Sequence, residues 1–388
     1  MRLDRDARWR TVELPVVIDA LAPILPRIRA AADEIETGRR LPRDLVEALV
    51  DAGVFRLCVP RSLGGAEAHP RLLLDVVETV AAADGSAGWC VMIGATSGLV
   101  SAYLADDVAR EIYGDPRAIT GGVFAPRGTA VPDGDALRVS GRWPFASGSE
   151  HCTWLMVGCL VRDDGPPRSR MVLVPASEAR ILDTWTVAGL RGTGSHDLTL
   201  ENVRVPVGRS VSLVDDRPRA TGVLFAFPVF GLLAIGIAAV AVGIARAAID
   251  EFVRLAREKS PQGSRRTLAE RGVVQGQVAE AEALVRAARA FLHEAVADAW
   301  DVAQAHGAIG SRERALLRLA ATHATTSAAR ATDLMYGAGG GTSIYAASPL
   351  QRCFRDVHVA TQHVMVAGAT YELTGRLFLG LETDVSQL

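Results

Sequence analysis

The chain has 388 residues, a formal charge of −2 and a hydrophobic fraction of 49%. That length allows roughly two or three folded units with a substantial core. The near-neutral balance, with both signs interspersed, excludes an electrostatic nucleic-acid binder. Cys58, Cys90, Cys152, Cys159 and Cys353 are odd in number and have no CxxC spacing, so neither a disulfide framework nor a metal site is expected. A reducing cytoplasm fits that usage, and the mixed charges of Met1-Arg2-Leu3-Asp4-Arg5-Asp6, with no apolar run behind them, predict no export signal.

Ile18, Leu21, Ile24, Leu25 and Ile28 recur at helix spacing, and so do Leu45, Val46, Leu49 and Val50 up to Gly53. Cys58-Val59-Pro60 with Gly64-Gly65 reads as a loop, after which residues 72–83 resume the helical period until Asp84-Gly85-Ser86 interrupts it. Residues 1–117 are therefore expected to be all-α. From 118 to 212 the period shifts toward two, with β-rich runs at 136–140, 154–161, 170–174 and 197–205. Turn signals at Asp133-Gly134-Asp135, at 163–167 and at Gly192-Thr193-Gly194 separate them, so a compact antiparallel β unit is expected.

Residues 223–245 contain no charged or polar side chain and are long enough to cross a membrane. Pro228, Gly231, Gly236 and Gly243 interrupt that run, it continues into the charged Arg246 to Glu251, and no basic or aromatic anchors flank both ends. A helix buried on all faces of a bundle produces the same signal, and that reading is preferred to a membrane span. Residues 268–305 are rich in helix formers, and Gly337-Ala338-Gly339-Gly340-Gly341 marks a turn. Residues 213–388 are expected to form a four-helix bundle that also makes oligomer contacts. Helix, sheet, helix is an α+β order.

Four segments stand out, and each has an ordinary reading. Gly121-Gly122-Val123-Phe124-Ala125-Pro126-Arg127-Gly128 can be a turn entering a strand. Trp143-Pro144-Phe145-Ala146-Ser147-Gly148-Ser149 can be a polar loop, and Gly189-Leu190-Arg191-Gly192-Thr193-Gly194-Ser195 a sharp turn that its glycines permit. Pro349-Leu350-Gln351-Arg352-Cys353-Phe354-Arg355-Asp356 by charge alone suggests a surface ion pair. Taken together and in this order, they resemble the acyl-CoA dehydrogenase superfamily over Leu45 to Gly375. In that family the first segment cradles the flavin, usually with an acidic residue that is absent here. Ser147 falls where a Ser or Thr lies beside the flavin ring. The third segment matches the GxRGTxS signature and reads as mainly architectural. The fourth, with Gly340 and Gly341, completes the flavin site, partly across a subunit boundary. The resemblance implies an acyl-CoA dehydrogenase-like α+β fold: an N-terminal all-α domain at 1–117, a central antiparallel β domain at 118–212, and a C-terminal four-helix bundle at 213–388. It also implies a homotetramer, arranged as a dimer of dimers.

One departure changes the expected chemistry. Those dehydrogenases carry a catalytic glutamate near the position seven residues after Asp356, where this chain has His363, within Val359-Ala360-Thr361-Gln362-His363-Val364-Met365-Val366. No carboxylate occurs there, nor between Asp216 and Asp250, so the base that deprotonates an acyl thioester is missing. With Asp84-Gly85-Ser86-Ala87-Gly88-Trp89 and Phe145-Ala146-Ser147-Gly148, the sequence resembles the reduced-flavin-dependent, two-component monooxygenases of the superfamily. The resemblance implies that a separate NAD(P)H-dependent reductase supplies FADH2 or FMNH2, that O2 adds at the flavin C4a, and that the hydroperoxide hydroxylates an aromatic or polycyclic small molecule.

In that scheme Ser147 and His363 are the catalytic residues. Ser147 bonds the flavin N5, because a hydroxyl can donate or accept as the ring changes redox state. His363 is either a base toward a phenol or indole N–H, or a hydrogen-bond donor to the hydroperoxide. Backbone groups of Val123 and Phe124, with Gly340 and Gly341, are expected to bind the cofactor, and Trp89, Phe227 and Phe230 to line a water-poor substrate pocket, although buried aromatics equally serve as core. Arg265 or Arg266 can take the FAD pyrophosphate, and FMN remains open. The alternatives are an FAD-dependent acyl-CoA dehydrogenase-like oxidoreductase that uses His363 as its base, and a scaffold that lost the glutamate and gained nothing.

Overall fold

The computed structural model describes residues 13–163, 165–385 and 388. The stretch read for an export signal and Asp164 of the expected turn at 163–167 lie outside them. The chain divides into two compact units, one of Met1–Leu73, Cys90–Thr186 and Arg191–Val229, the other of Leu74–Trp89, Val187–Leu190 and Phe230–Leu388.

The first unit begins with helices α1 (Glu13–Leu21), α2 (Leu25–Ala30), α3 (Ala32–Gly38) and α4 (Arg43–Asp51). Leu45, Val46 and Leu49 are the buried stripe of α4, and the chain leaves that helix at Gly53 with a left-handed φ of 75°. Helices α5 (Pro70–Ala81) and α6 (Gly85–Ser97) follow, each contributing residues to both units, and then α7 (Asp106–Tyr113). The interruption at Asp84 is a helix start: its carboxylate accepts the Ala87 N–H at 2.9 Å and caps α6.

A seven-stranded sheet completes this unit: β1 (Thr120–Asp133), β2 (Ala136–Trp143), β3 (Trp154–Val161), β4 (Arg168–Pro175), β5 (Arg180–Leu182), β6 (Asp197–Pro206) and β7 (Ser210–Val211), ordered β5-β6-β2-β1-β3-β4-β7. β1 and β2 form a hairpin over Gly134, which has φ of 65°. The chain then crosses to the far edge of β1, so β3 runs parallel to β1, while the other neighbouring pairs are antiparallel. Period-two alternation divides β3 between two cores: Leu155, Val157, Cys159 and Val161 pack with Trp143, while Met156 packs with Leu104, Ile112 and Tyr113. Trp143 is fully buried and donates its indole N–H to the Gly158 carbonyl at 2.7 Å. Its ring lies over Gly128, where a Cβ would come within 2.0 Å of the indole.

The second unit is built on α8 (Val229–Glu258), α9 (Gly272–His306), α10 (Ser311–Gly339), α11 (Pro349–Ala360) and α12 (Ala369–Phe378). The apolar run is not helical from residue 223, as expected, but from Val229. Residues Val223–Ala226 form a separate 3-10 turn, and Phe227 is extended with ψ of 139°. Pro228 explains the break, since its ring disfavours a helical conformation in the residue before it. Among the described residues α8 is the helix long and apolar enough to cross a membrane, and 89% of its most apolar window is buried. Its all-round apolarity therefore serves a protein core. The glycines expected to form a turn at 337–341 are divided: α10 continues through Gly339, and the chain turns at Gly340, with φ of 56°.

Asp75, Glu78 and His293 place potential ligand atoms within 4.8 Å of one another. Arg289 bonds both carboxylates at 2.7 Å, so this cluster is an ion-pair network joining α5 to α9.

Candidate active site

Ser147 lies in the loop between β2 and β3. Its neighbours are fixed by backbone bonds to the 193–196 strand approach: Ala146 N–H to the His196 carbonyl at 3.0 Å and Gly148 N–H to the Thr193 carbonyl at 2.8 Å. The hydroxyls of Ser147 and Ser195 are 2.7 Å apart, and those of Ser195 and Thr193 are also 2.7 Å apart. All three side chains are buried. Phe145, two residues before Ser147, holds φ of 68° while 66% exposed, and its ring stands edge-on to Trp185 at 6.1 Å. A bulky residue in the left-handed region is uncommon and costs strain, which is often kept at functional loops.

Val123 and Phe124 lie on β1, where the ladder to β3 shifts register between Val123 and Gly128. Val123 faces the Trp143 core and Phe124 faces the Tyr113 core. The bulge needs glycine opposite it: a Cβ on Gly158 would come within 2.3 Å of the Phe124 carbonyl oxygen. Bulges of this kind re-aim peptide groups away from the ladder. A buried hydroxyl able to donate or accept, beside a loop of strained aromatic backbone, and a bulged strand together form a donor set that fits the polar edge of a flavin ring.

In the second unit His363 opens a short turn at Val364–Val366, and its Nδ1 accepts the Met365 N–H at 3.2 Å. In the neutral ring the proton is therefore on Nε2. Trp89 packs against the imidazole, with ring centroids 5.8 Å apart and planes at 58°. The structure thus brings these two expected site residues together. Buried Arg318 on α10 donates from Nε to the Met365 carbonyl at 3.1 Å, so the residue whose N–H holds Nδ1 is itself held. Sequence reasoning missed Arg318, although a lone cation on the Ala-rich face between Ala315 and Ala321 was a signal. Burial, and then the Arg318 charge, push the His363 pKa down from 6.5 to about 4.

Asp356, 5% exposed, accepts the Leu190 N–H at 2.6 Å, and Arg355 donates to the Ala188 carbonyl. Arg355 and Asp356 thus hold residues 188–190 against α11. Gly189 is required by that crossing, because a Cβ would come within 2.3 Å of the Arg355 carbonyl oxygen. Gly340 and Gly341 are exposed at the end of α10. Phe227 is fully buried and Phe230 partly accessible. A cleft of 390 Å³ in the first unit, lined by residues that include Leu63, Glu67, Ser101, Arg110 and Arg219, contains none of the expected site residues.

His69 and His151 share the direction of His363: burial first, then Arg71 and Arg40 respectively, push each to about 4. Below the ordinary value of 6.5 the unfolded chain takes up these protons and the folded chain does not. Stability is then fully present above pH 6.5 and is lost as the pH falls toward 4. The thermal midpoint should be level from about pH 7 to 8 and decline steadily below 6.5. A midpoint that rises on acidification would contradict the burial of these rings.

Helices, a seven-stranded sheet and then long helices, in that order, are the architecture of the acyl-CoA dehydrogenase-like class. The models of the acyl-CoA dehydrogenase N-terminal and C-terminal domains match residues 24–111 and 235–367. Indole-3-acetate monooxygenase of Pseudomonas putida is 36% identical over 91% of this chain and 91% of its own. The oxygenase component of FADH(2)-dependent resorcinol hydroxylase from a Rhizobium species is 30% identical over 94% of each. The crystal structure of the HsaA monooxygenase from M. tuberculosis superimposes with a TM-score of 0.90 at 30% identity, covering 97% of this chain and all of that one. The chain belongs to the acyl-CoA dehydrogenase superfamily, in its branch of flavin-dependent monooxygenases.

Proposed function

We propose that the protein is the oxygenase of a two-component system that hydroxylates an aromatic or polycyclic small molecule with O2 and reduced flavin delivered by a separate NAD(P)H-dependent reductase. The observation that carries this reading is a neutral His363, packed on Trp89, where a thioester dehydrogenase needs a carboxylate. Reduced flavin supplies the two electrons, and one atom of O2 enters the product while the other leaves as water. Ser147 holds the ring at N5, and peptide groups of Val123 and Phe124 hold its edge. Gly340 and Gly341, which carry no side chain to obstruct a ligand, serve a more distant part of the cofactor.

His363 acts as a donor through Nε2–H. Its Nδ1 already accepts from Met365, and a group with a pKa near 4 is a weak base at neutral pH. Trp89 fixes the ring orientation and, with Phe230, supplies apolar surface that limits water at the reacting centre. The names of the relatives, for indole-3-acetate and resorcinol, support a substrate with a ring N–H or O–H. Free thiols at all five cysteines support a cytoplasmic setting. Exposed Tyr371, Phe378 and Leu379 around α12 support assembly through the bundle as a homotetramer.

The test supplies purified protein with a generic flavin reductase, NADH, FAD or FMN, labelled oxygen gas and a panel of phenols and indoles. One labelled oxygen per product, strictly dependent on the reductase, is expected. Oxidation of an acyl thioester with a dye acceptor and no reductase would overturn the reading in favour of a dehydrogenase.

A further inference from the structure

The GxRGTxS segment contributes more than a turn. Thr193 and Ser195 place their hydroxyls in line behind Ser147, at 2.7 Å and 2.7 Å, with exposures of 1%, 3% and 6% for Thr193, Ser195 and Ser147. We infer that Thr193 and Ser195 are positioning residues that orient the Ser147 hydroxyl and so set the preference of the protein for reduced over oxidised flavin. This inference rests on the proposed placement of Ser147 at the flavin N5.

Each hydroxyl has one proton, so donation in a chain of hydroxyls has to run in a single direction, and reversing one link reverses the next. Oxidised N5 is an acceptor, whereas reduced N5 carries a hydrogen. Toward oxidised flavin the Ser147 proton points at N5, and its oxygen accepts from Ser195. Toward reduced flavin the Ser147 oxygen accepts from N5–H, and its proton is passed to Ser195, whose own proton turns to Thr193. Loss of the Ser195 hydroxyl therefore removes an acceptor that the reduced state uses, while the oxidised state keeps its bond from Ser147 to N5. A buried donor deprived of its acceptor is costly. The loop itself is held by backbone bonds, from Ala146 to His196 and from Gly148 to Thr193, that these substitutions leave in place.

The experiment measures dissociation constants for oxidised flavin in air and for dithionite-reduced flavin under anaerobic conditions, for the wild-type protein and for Ser147→Ala, Ser195→Ala, Ser195→Thr and Thr193→Val. Ser195→Ala is expected to weaken reduced flavin by roughly ten-fold and oxidised flavin by less than about three-fold. Ser195→Thr, which keeps the hydroxyl, should recover the wild-type ratio. If Ser195→Ala does not fold, Thr193→Val carries the same test, with a shift of the ratio in the same direction. An unchanged ratio in Ser195→Ala, or in Thr193→Val where that stands in, overturns the inference, as does an equal loss for both redox states, because a merely structural role predicts one of those results. Ser147→Ala separates the two claims. If it leaves both constants unchanged, the placement of Ser147 at the flavin is wrong; if it alone shifts the ratio, only the hydroxyl chain is wrong.

Discussion

Replacing His363 with alanine should leave a folded protein that still consumes NAD(P)H and oxygen through the reductase but releases hydrogen peroxide in place of hydroxylated product. The imidazole is held from three sides: Met365 N–H on Nδ1, Arg318 on the Met365 carbonyl, and Trp89 against the ring. Alanine adds neither bulk nor charge to the short turn at Val364–Val366, whereas the Nε2 proton these contacts aim has no substitute in its methyl group. A positioned proton donor or acceptor typically contributes about 10²–10⁴ in rate, so product per oxygen consumed should fall by roughly 100-fold or more. His363→Gln distinguishes the two roles, because a glutamine amide can present an N–H near the Nε2 position but cannot act as a base. Partial recovery of product is expected. Because His363 is uncharged down to about pH 4, its contribution to product yield should be level across about pH 6–8. Normal coupling in the alanine variant, or a break in the yield near pH 6.5, would remove His363 from the reaction.

Trp143→Ala should be among the most damaging single changes to stability. The indole is fully buried, closes the space over Gly128 and Gly141, and satisfies the Gly158 carbonyl. Truncation leaves a large cavity beside two glycines that have no side chain to collapse into it, and removes the donor from a buried oxygen. The expected loss is about 3–5 kcal/mol, or on the order of 10 °C in the thermal midpoint. Trp143→Phe, which keeps most of the volume and loses the N–H, should lie between the variant and the wild type. Differential scanning calorimetry decides the matter: a shift of under about 2 °C for the alanine variant would mean that the sheet packs without the indole.

Trp143 also shows how a residue can be noticed in sequence for one reason and matter for another. In the linear chain it introduces the flavin-type segment ending at Ser149. Its ring is instead a core element, because β2 returns beside β1 and places the indole over Gly128, a distant position whose lack of a side chain makes room for it, within reach of the Gly158 carbonyl on β3. The limits of the apolar helix differ for a local reason, since Pro228 separates the 3-10 turn from α8.

The order of elements was determined by sequence alone, because period and punctuation are local properties: period two at Trp154–Val161, the stripe of Leu45, Val46 and Leu49, and a carboxylate-free run that a helix can bury. The replacement of an expected glutamate by His363 was equally legible, since a missing functional group needs no coordinates. Only the tertiary structure decided that His363 is neutral with its proton on Nε2, that Arg318 holds its turn from 47 residues away, and that Ser147 is backed by a hydroxyl 48 residues along the chain. Protonation and hydrogen-bond direction depend on burial and on which distant atoms lie within about 3 Å, and folding is what brings those atoms together.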